Sequence, residues 1–182
     1  MSRWSDTIAA MLLLHEGHAY VDDPDDAGGP SRFGVSLREM RRLGGLIGDI
    51  DNDGDVDADH VRALTELQAL DFYRTHFWDT GGYCRIESQW VAEKIFDLAV
   101  NVGPRQAHKM LQRACRAGNG LVRYPIDDGI LGPVTIAAVN ALDADMLVPA
   151  LRSEAAGFYR LLVALNPRHA KYLTGWLARA YE

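Results

Sequence analysis

Hydrophobic positions along this chain recur mainly with the period of an α-helix. The first such stretch, residues 7–15, is almost wholly apolar, and Ser5 or Asp6 is a suitable N-cap for it. Further helices are predicted over residues 37–43, 58–77, 89–100, 105–116, 133–142 and 143–165, with a last one opened by Asn166 and Pro167. The pattern therefore predicts an all-α protein built as a helical bundle.

One segment near the N-terminus departs from this pattern. Residues 20–36 are rich in aspartate, glycine and proline, and Gly28, Gly29 and Pro30 interrupt any regular helix. We expect this segment to be irregular, or at most a short hairpin. Since no repeat, low-complexity tract or linker divides the chain, residues 1–182 are predicted to form a single domain.

Composition and charge narrow the class of protein. Of 182 residues, 48% are hydrophobic and 24% are charged, which is ordinary for a globular domain and excludes disordered and fibrous chains. The net charge of −6 disfavours a nucleic-acid partner. We expect no signal peptide and no stable membrane insertion, because the apolar run 8–14 is too short to cross a bilayer. Cys84 and Cys115 are predicted to be buried thiols, and a disulfide between them is left open.

The candidate chemistry begins at the end of the first helix. Glu16 follows an apolar stretch at a helix C-terminus, where negative charge is disfavoured and water is scarce, so its pKa is expected to be raised. Asp25 and Asp26 come nine and ten residues later, beside glycines that let a backbone turn closely against a ligand. A protonated carboxylic acid opposite an ionised carboxylate is the pair that glycoside hydrolysis uses.

Residues 15–20 (HEGHAY) and 23–36 (DPDDAGGPSRFGVS) resemble the start of glycoside hydrolase family 108. The members of this family are phage-type endolysins that act as N-acetylmuramidases. The resemblance implies a lysozyme-like fold, α+β at most. It also implies that Glu16 is the general acid, that Asp26 is the second carboxylate, and that Ser31 orients water or this carboxylate.

Departures from the family pattern keep other hypotheses open. The lysozymes of glycoside hydrolase family 24, which the segment also resembles, have a spacing that selects Asp25 instead of Asp26. The chain has one extra residue after Glu16, and Ser31 stands where the family has threonine. These differences favour a rival hypothesis, a catalytically silent peptidoglycan-binding module stabilised by calcium.

The second half of the chain carries further segments similar to these endolysins, namely residues 96–104 (FDLAVNVGP), 128–135 (DGILGPVT) and 175–179 (GWLAR). The resemblance divides the chain into a catalytic half, 1–95, and a helical peptidoglycan-binding-like half, 96–182. Asn101 is a candidate substrate ligand in the second half. Asp97 and Trp176 are interpreted as residues that serve helix packing.

The function that the resemblance implies is hydrolysis of the β-1,4 bond between N-acetylmuramic acid and N-acetylglucosamine in bacterial peptidoglycan. No cofactor is expected for catalysis. Tyr20 and Phe33 flank the carboxylates and are candidates to stack on sugar rings. The expected setting is that of a bacteriophage endolysin, a monomer that stays in the host cytoplasm until a holin releases it to the cell wall.

Residues 49–60 form an acidic loop with the spacing of an EF-hand. Glycine occupies loop position 6 and an aliphatic residue position 8. The candidate ligands at positions 1, 3, 5, 7 and 9 are Asp49, Asp51, Asp53, Asp55 and Asp57. Position 12 is His60, where a bidentate glutamate is expected, and imidazole is a poor ligand for calcium. A structural calcium ion is predicted, and a solvated loop without an ion is the alternative.

Histidines and tryptophans add two minor expectations. His15 and His18, with Asp22 or Asp26, suggest a zinc amidase as a third hypothesis, although they lack the one-turn spacing of zinc hydrolases. Trp78 and Trp90 are expected to pack in the core.

Overall fold

The computed structural model describes residues 1–23, 28–43, 49–50, 53–117 and 125–182. These residues form helices and one small three-stranded antiparallel sheet, which confirms the predicted mainly α-helical fold. The chain divides into two compact units. One comprises residues 5–76 and the other residues 1–4 with 77–182, whereas the sequence analysis separated two halves between residues 95 and 96.

The unit 5–76 opens with helix α1, Asp6–Glu16. Ser5 caps this helix by accepting a hydrogen bond from the backbone N–H of Ile8, and Gly17 ends it with a φ of +73°. The elements that follow are β1 (Tyr20–Val21), β2 (Ser31–Arg32), β3 (Val35–Ser36), α2 (Leu37–Leu43), α3 (Ala58–Ala63) and α4 (Glu66–Tyr73). The strands pair in the order β1-β2-β3, so the glycine-rich segment contains a short hairpin, one of the two forms expected for it.

The continuous helix predicted over residues 58–77 is wrong, because the chain breaks at Leu64 and Thr65. Leu64 is extended, with a φ of −53° and a ψ of 124°. The Thr65 hydroxyl then accepts a hydrogen bond from the N–H of Gln68, and the Gln68 side chain accepts one from the N–H of Thr65. This capping box starts a new helix within an apolar periodicity that continues on both sides of it.

The unit formed by residues 1–4 and 77–182 is a helical bundle, which the chain enters through a π-helical segment, Arg74–Asp79. Its α-helices are α5 (Gln89–Val102), α6 (Pro104–Ala114), α7 (Pro133–Asn140), α8 (Ala144–Leu165) and α9 (Leu173–Tyr181). Helix α8 packs against α5, α6 and α9. The last helix begins later than predicted, because the residues after Asn166 first form a 3-10 turn, Pro167–Tyr172.

A buried ion cluster lies between α5 and α9. Asp97 accepts a hydrogen bond of 2.8 Å from Nε of Arg179, and Nζ of Lys94 lies 3.7 Å from the same carboxylate. These three residues are at most 8% exposed. Desolvation lowers the pKa of Lys94, since burial disfavours its charged form. The cluster agrees with the interpretation of Asp97 as a packing residue.

Of the two tryptophans expected in the core, one is there. Trp78 is 2% exposed and packs edge-on against Trp4 and Phe96. Trp90 is 41% exposed in the first turn of α5, so its assignment to the core is wrong. The guanidinium of Arg152 lies 5.5 Å from the centroid of its ring, which gives this surface tryptophan a cation–π contact.

The two cysteines differ in burial. Cys115 is buried in the turn after α6, but Cys84 is exposed, so the prediction of burial is wrong for Cys84. Both are free thiols. Burial raises the pKa of the Cys115 thiol to about 12, which keeps it protonated.

Among the described helices, none combines the length and apolar content that a bilayer span requires.

Candidate active site

The Glu16 carboxylate stands at the C-terminal end of α1. The N–H of Gly17 donates to the carbonyl of Leu13 at 3.1 Å, which closes the last helical turn. The positive φ of Gly17 then directs the chain away from the helix axis. Glu16 is half-buried, so part of its side chain contacts protein while solvent still reaches it.

A tight turn joins β2 to β3. The pairings Arg32 with Val35 and Ser31 with Ser36 leave Phe33 and Gly34 as a two-residue loop. Both loop residues have positive φ, +53° and +74°, which is the requirement of a type I′ turn. This conformation suits glycine but is rare for a bulky side chain such as Phe33. A side chain of α4 stabilises this turn. The Tyr73 hydroxyl donates a buried hydrogen bond of 3.1 Å to the backbone carbonyl of Phe33.

Gly34 lies directly against the Glu16 side chain. A β-carbon at Gly34 would be 2.5 Å from Oε2 of Glu16 and 2.9 Å from its Cβ. The same β-carbon would be 2.5 Å from the hydroxyl of Tyr73. The Glu16 carboxylate and the Tyr73 hydroxyl therefore both pack on the one residue whose lack of a side chain leaves room for them. The turn backbone thereby limits the positions that the carboxylate can occupy.

Tyr73 and Gly34 are the two site residues that the sequence analysis did not identify. Tyr73 lies in the apolar face of a helix, where it is indistinguishable from a core residue, and it is 4% exposed. A partial signal for Gly34 was available, since a two-residue hairpin turn of type I′ favours glycine at its second position.

Ser31 and Tyr20 lie on neighbouring strands of the small sheet. Ser31 is opposite Val21 in β1, and Tyr20 is opposite Arg32 in β2. The Tyr20 hydroxyl donates to a carboxylate oxygen of Asp22 at 3.3 Å. Loss of solvation raises the pKa of Tyr20, so its phenol is neutral. Both Ser31 and Tyr20 are partly exposed and accessible to a ligand.

Phe33 is placed differently from Tyr20. It is 6% exposed, with the His18 ring edge-on at 5.7 Å and the Arg32 guanidinium 5.2 Å from its centroid. Its ring therefore offers little surface on which a sugar could stack, and its contribution is to the shape of the turn.

Asp25 and Asp26 lie in the segment 24–27, outside the described residues, so the choice between them stays open.

Comparison with known proteins shows the family to which the chain belongs. The model of glycosyl hydrolase 108 matches residues 9–103, which include Glu16, Gly34 and Tyr73. The chain belongs to the glycosyl hydrolase 108 family. A second model, described as a predicted peptidoglycan domain, matches residues 106–181. The resemblance stated from the sequence is thereby confirmed.

Among solved structures, the chain is similar to SagA of Brucella abortus. The two chains are 26% identical, the match covers 97% of each, and the TM-score is 0.65. No curated protein matches this chain. The family and the second model together make this member of glycosyl hydrolase 108 a glycoside hydrolase that acts on peptidoglycan.

The family member also carries the acidic loop, of which four of the five predicted ligands are described. Asp49 accepts hydrogen bonds from the N–H groups of Asp53, at 3.1 Å, and Gly54, at 3.0 Å. Asp53 accepts one from the N–H of Asp55 at 3.0 Å. Asp51 lies outside the described residues. Backbone N–H groups of the loop thus hold the carboxylates of Asp49 and Asp53 in place.

His60 closes this loop from helix α3. It is 4% exposed, with Nδ1 3.1 Å from Oδ1 of Asp57 and Nε2 3.6 Å from Oδ1 of Asp49. Hydrogen bonds, first from the N–H of Asp59, lower the pKa of Asp57 and keep it ionised. Potential ligand atoms lie within 4.8 Å of one another in two groups, Asp49–Asp53–His60 and Asp55–Asp57–His60.

The histidines beside Glu16 are not part of either metal-competent group in the described chain. Nδ1 of His18 lies 3.7 Å from a carboxylate oxygen of Glu66, and both side chains are largely exposed. Nothing among the described residues supports the zinc amidase hypothesis.

Asn101 lies in the other unit, near the end of α5. Its Oδ1 accepts a 2.7 Å hydrogen bond from the Tyr159 hydroxyl. It borders a cavity of about 190 Å³, lined by Asn101, Val102, Phe158, Tyr159, Leu162 and Trp176. Trp176 stacks on Tyr159 with centroids 5.4 Å apart, so it packs as expected and also faces this cavity.

Proposed function

We propose that this protein is a muramidase that hydrolyses the β-1,4 bond between N-acetylmuramic acid and N-acetylglucosamine, with Glu16 as the general acid. Membership of glycosyl hydrolase 108 and the peptidoglycan domain support the substrate class. The observation that carries the assignment of Glu16 is its contact with Gly34, since an accessible carboxylate is fixed against a tight backbone turn. Catalysis by a general acid requires a proton donor held in one place.

In the proposed reaction, protonated Glu16 donates its proton to the glycosidic oxygen as the bond from that oxygen to the anomeric carbon breaks. Asp26, or Asp25 in its place, is the base that takes a proton from the attacking water, whose oxygen joins the anomeric carbon. Alternatively this carboxylate stabilises the developing oxocarbenium ion. Ser31 orients the water or the second carboxylate, and Tyr20 contacts a sugar ring. The distance between the two carboxyl groups decides between inversion and retention.

The test is release of reducing ends from purified peptidoglycan by the wild type and by Glu16→Gln. The substitution keeps the shape of the side chain and removes the proton donor, so we expect the rate to fall by about 10²–10⁴-fold. Glu66→Gln is the matched control, because this glutamate lies in the same unit with its side chain 49% exposed. It is expected to retain the wild-type rate.

Other outcomes identify the rival hypotheses. An amidase or peptidase would release new amino groups, and a silent binding module would sediment with peptidoglycan and release neither product. If Glu16→Gln matched the wild type, the role of Glu16 would be refuted. Comparison of Asp25→Asn with Asp26→Asn then assigns the second carboxylate, since only one of them is expected to abolish the reaction.

We propose the biological setting that the family resemblance implies, lysis of a bacterial host. The protein would be a monomer, held in the host cytoplasm without membrane insertion until a holin opens the inner membrane. Expression in bacteria with and without a holin tests this. Lysis is expected only with both proteins, and lysis by this protein alone would refute the need for a holin.

We also propose that the loop 49–60 binds a structural calcium ion, with Asp49, Asp51, Asp53, Asp55 and Asp57 as the candidate ligands. The convergence of the described carboxylates supports this, because such close negative charges repel one another without a cation. Calcium at 100 times its dissociation constant would stabilise the fold by about 2.7 kcal/mol.

Thermal unfolding with calcium and with a chelator tests the calcium proposal. Calcium is expected to raise the Tm of the wild type and of Asp71→Asn, an exposed control outside the loop, but not that of Asp49→Asn. Stabilisation by Zn²⁺ and not by Ca²⁺ would contradict the proposal, because imidazole from His60 favours the softer ion.

A further inference from the structure

The cavity beside Asn101 has a lining suited to a neutral, partly apolar ligand. Its volume is about 190 Å³, and every described residue that lines it is uncharged. Asn101 and Val102 belong to the part of the chain matched by the hydrolase model. The other lining residues, Phe158, Tyr159, Leu162 and Trp176, belong to the part matched by the peptidoglycan domain. All six lie in the unit that does not contain Glu16.

Tyr159 fixes the orientation of the Asn101 amide. Tyr159 is fully buried, and its hydroxyl donates to Oδ1 of Asn101 at 2.7 Å. The Nδ2 group, with two N–H donors, is therefore on the side of the amide away from Tyr159. Asn101 is exposed to solvent, so these donors are available to a ligand. A donor held by a buried partner loses little freedom when a ligand binds it.

Aromatic side chains form a large part of the cavity wall. Trp176 is half-buried, with the ring centroid of Tyr159 5.4 Å and that of Tyr172 5.5 Å from its own. Phe158 adds a second partly exposed ring to the lining. Rings fixed in this way present apolar surface at little entropic cost, and the C–H face of a pyranose packs against apolar surface.

We propose that this cavity binds one N-acetylhexosamine residue of the peptidoglycan glycan strand. The Asn101 amide would donate to the acetamido carbonyl, and Trp176 and Phe158 would contact the sugar ring. A neutral lining favours the glycan over the stem peptide, whose amino and carboxylate groups would be buried here without charged partners. This inference rests on the proposed function for its substrate and adds a binding site outside the unit of Glu16.

The first test is an NMR titration of the ¹⁵N-labelled full chain carrying Glu16→Gln, with the N-acetylglucosamine tetrasaccharide as the probe. We expect the Asn101 side-chain amide and the Trp176 indole N–H signals to shift with saturation. Shifts confined to residues 5–76, or no shifts, would overturn the proposal. So would a shift of the Asn101 amide by the free stem tetrapeptide and not by the tetrasaccharide.

The second test is sedimentation of the same protein with purified peptidoglycan. Asn101→Asp keeps the acceptor for Tyr159 and removes the N–H donors, and Trp176→Ala removes a ring. We expect each to weaken binding at least about fivefold, as loss of one hydrogen bond or ring contact does. Trp90→Ala, an exposed tryptophan outside the cavity, is the matched control and is expected to bind like its parent. If Asn101→Asp and Trp176→Ala bound peptidoglycan as tightly as the control Trp90→Ala, the proposal would be refuted.

The two proposals fail separately. Reducing-end release by the wild type depends on the chemistry of Glu16, whereas the titration and sedimentation use a protein that lacks the proton donor. Binding at the Asn101 cavity without any reducing-end release would refute the muramidase proposal alone. Melting curves for Asn101→Asp and Trp176→Ala confirm that any loss of binding occurs in folded protein.

Discussion

The hydroxyl of Tyr73 donates a hydrogen bond to the backbone carbonyl of Phe33, 3.1 Å away and forty residues earlier in the chain. This bond connects α4 to the β2–β3 turn at a residue with a φ of +53°. The turn places Gly34 against the carboxylate of Glu16. A helix that carries no proposed reacting group thus fixes the position of the proposed general acid.

Replacement of Tyr73 by phenylalanine is expected to reduce both stability and turnover. The buried carbonyl of Phe33 loses its partner, so the free energy of unfolding should fall by about 1–3 kcal/mol. Because the turn against Glu16 loosens, kcat should fall while KM changes little. Urea unfolding and reducing-end release measure the two effects. Tyr181→Phe is the control, since this tyrosine is 50% exposed. Unchanged kcat in Tyr73→Phe would refute the positioning role.

Replacement of Gly34 by alanine should displace the Glu16 carboxylate. The new β-carbon would collide with Oε2 of Glu16 and with the Tyr73 hydroxyl, each at 2.5 Å. A displacement of this kind is expected to lower kcat by about 10²-fold. Gly54→Ala is the matched control, because Gly54 also has a positive φ, +97°, but no atom lies within 4 Å of its added β-carbon.

The two glycine variants separate backbone strain from collision. Because Gly54 lies in the loop 49–60, the two variants are compared with the wild type in the presence of a calcium chelator. Under that condition Gly54→Ala should lose about 1–2 kcal/mol of stability, the cost of a left-handed conformation for alanine, and retain its activity. If both variants lost stability equally and both kept wild-type kcat, the contact between Gly34 and Glu16 would have no catalytic consequence.

Asp97→Ala should be among the most destabilising single substitutions in the helical bundle. It leaves the buried charges of Arg179 and Lys94 without their carboxylate, at an expected loss of about 3–5 kcal/mol. Addition of Arg179→Leu should recover part of this loss, and a double-mutant cycle measures the coupling. The control is Asp59→Ala, whose partner Arg62 is exposed, with an expected loss within about 1 kcal/mol. Additive losses in the cycle would contradict the pairing.

His108 should make stability depend on pH near neutrality. The ring is buried between the Tyr83 hydroxyl, 3.0 Å from Nε2, and the carbonyl of Gly129, 3.1 Å from Nδ1. Because the Gly129 carbonyl oxygen can only accept a hydrogen bond, Nδ1 of His108 carries the proton and Nε2 accepts a hydrogen bond from the Tyr83 hydroxyl. Desolvation lowers the pKa of His108 below its usual 6.5, so the folded protein holds the neutral ring.

The sign of the pH effect follows from this pKa. As the pH falls below 6.5, the unfolded chain binds a proton at His108 that the folded chain does not, so the folded state loses stability. The slope is expected to reach about 1.4 kcal/mol per pH unit until the folded pKa is passed. Urea unfolding between pH 7.5 and pH 5 measures it. His108→Gln should remove this slope, whereas His18→Gln, an exposed control, should keep it.

Much of the fold was predictable from local sequence. Ser5 and Asp143 cap α1 and α8 as their residue types indicate, because a cap bonds to N–H groups two or three residues away. The C-terminal position of Glu16 in α1 followed from the same short-range rules, and the order of family motifs identified the hydrolase. The capping box at Thr65 was equally local, but a continuous apolar period concealed it.

The sequence by itself determined where most of the described helices begin, that Glu16 closes the first of them, and to which family the chain belongs. Only the tertiary structure decided that Tyr73 holds Phe33, that Gly34 contacts Glu16, and which of two tryptophans is buried. The physical reason is the separation along the chain of the residues that interact. Helical period and caps depend on bonds within one turn of the chain, whereas these contacts join segments far apart in sequence that meet only when the apolar faces of several elements pack together.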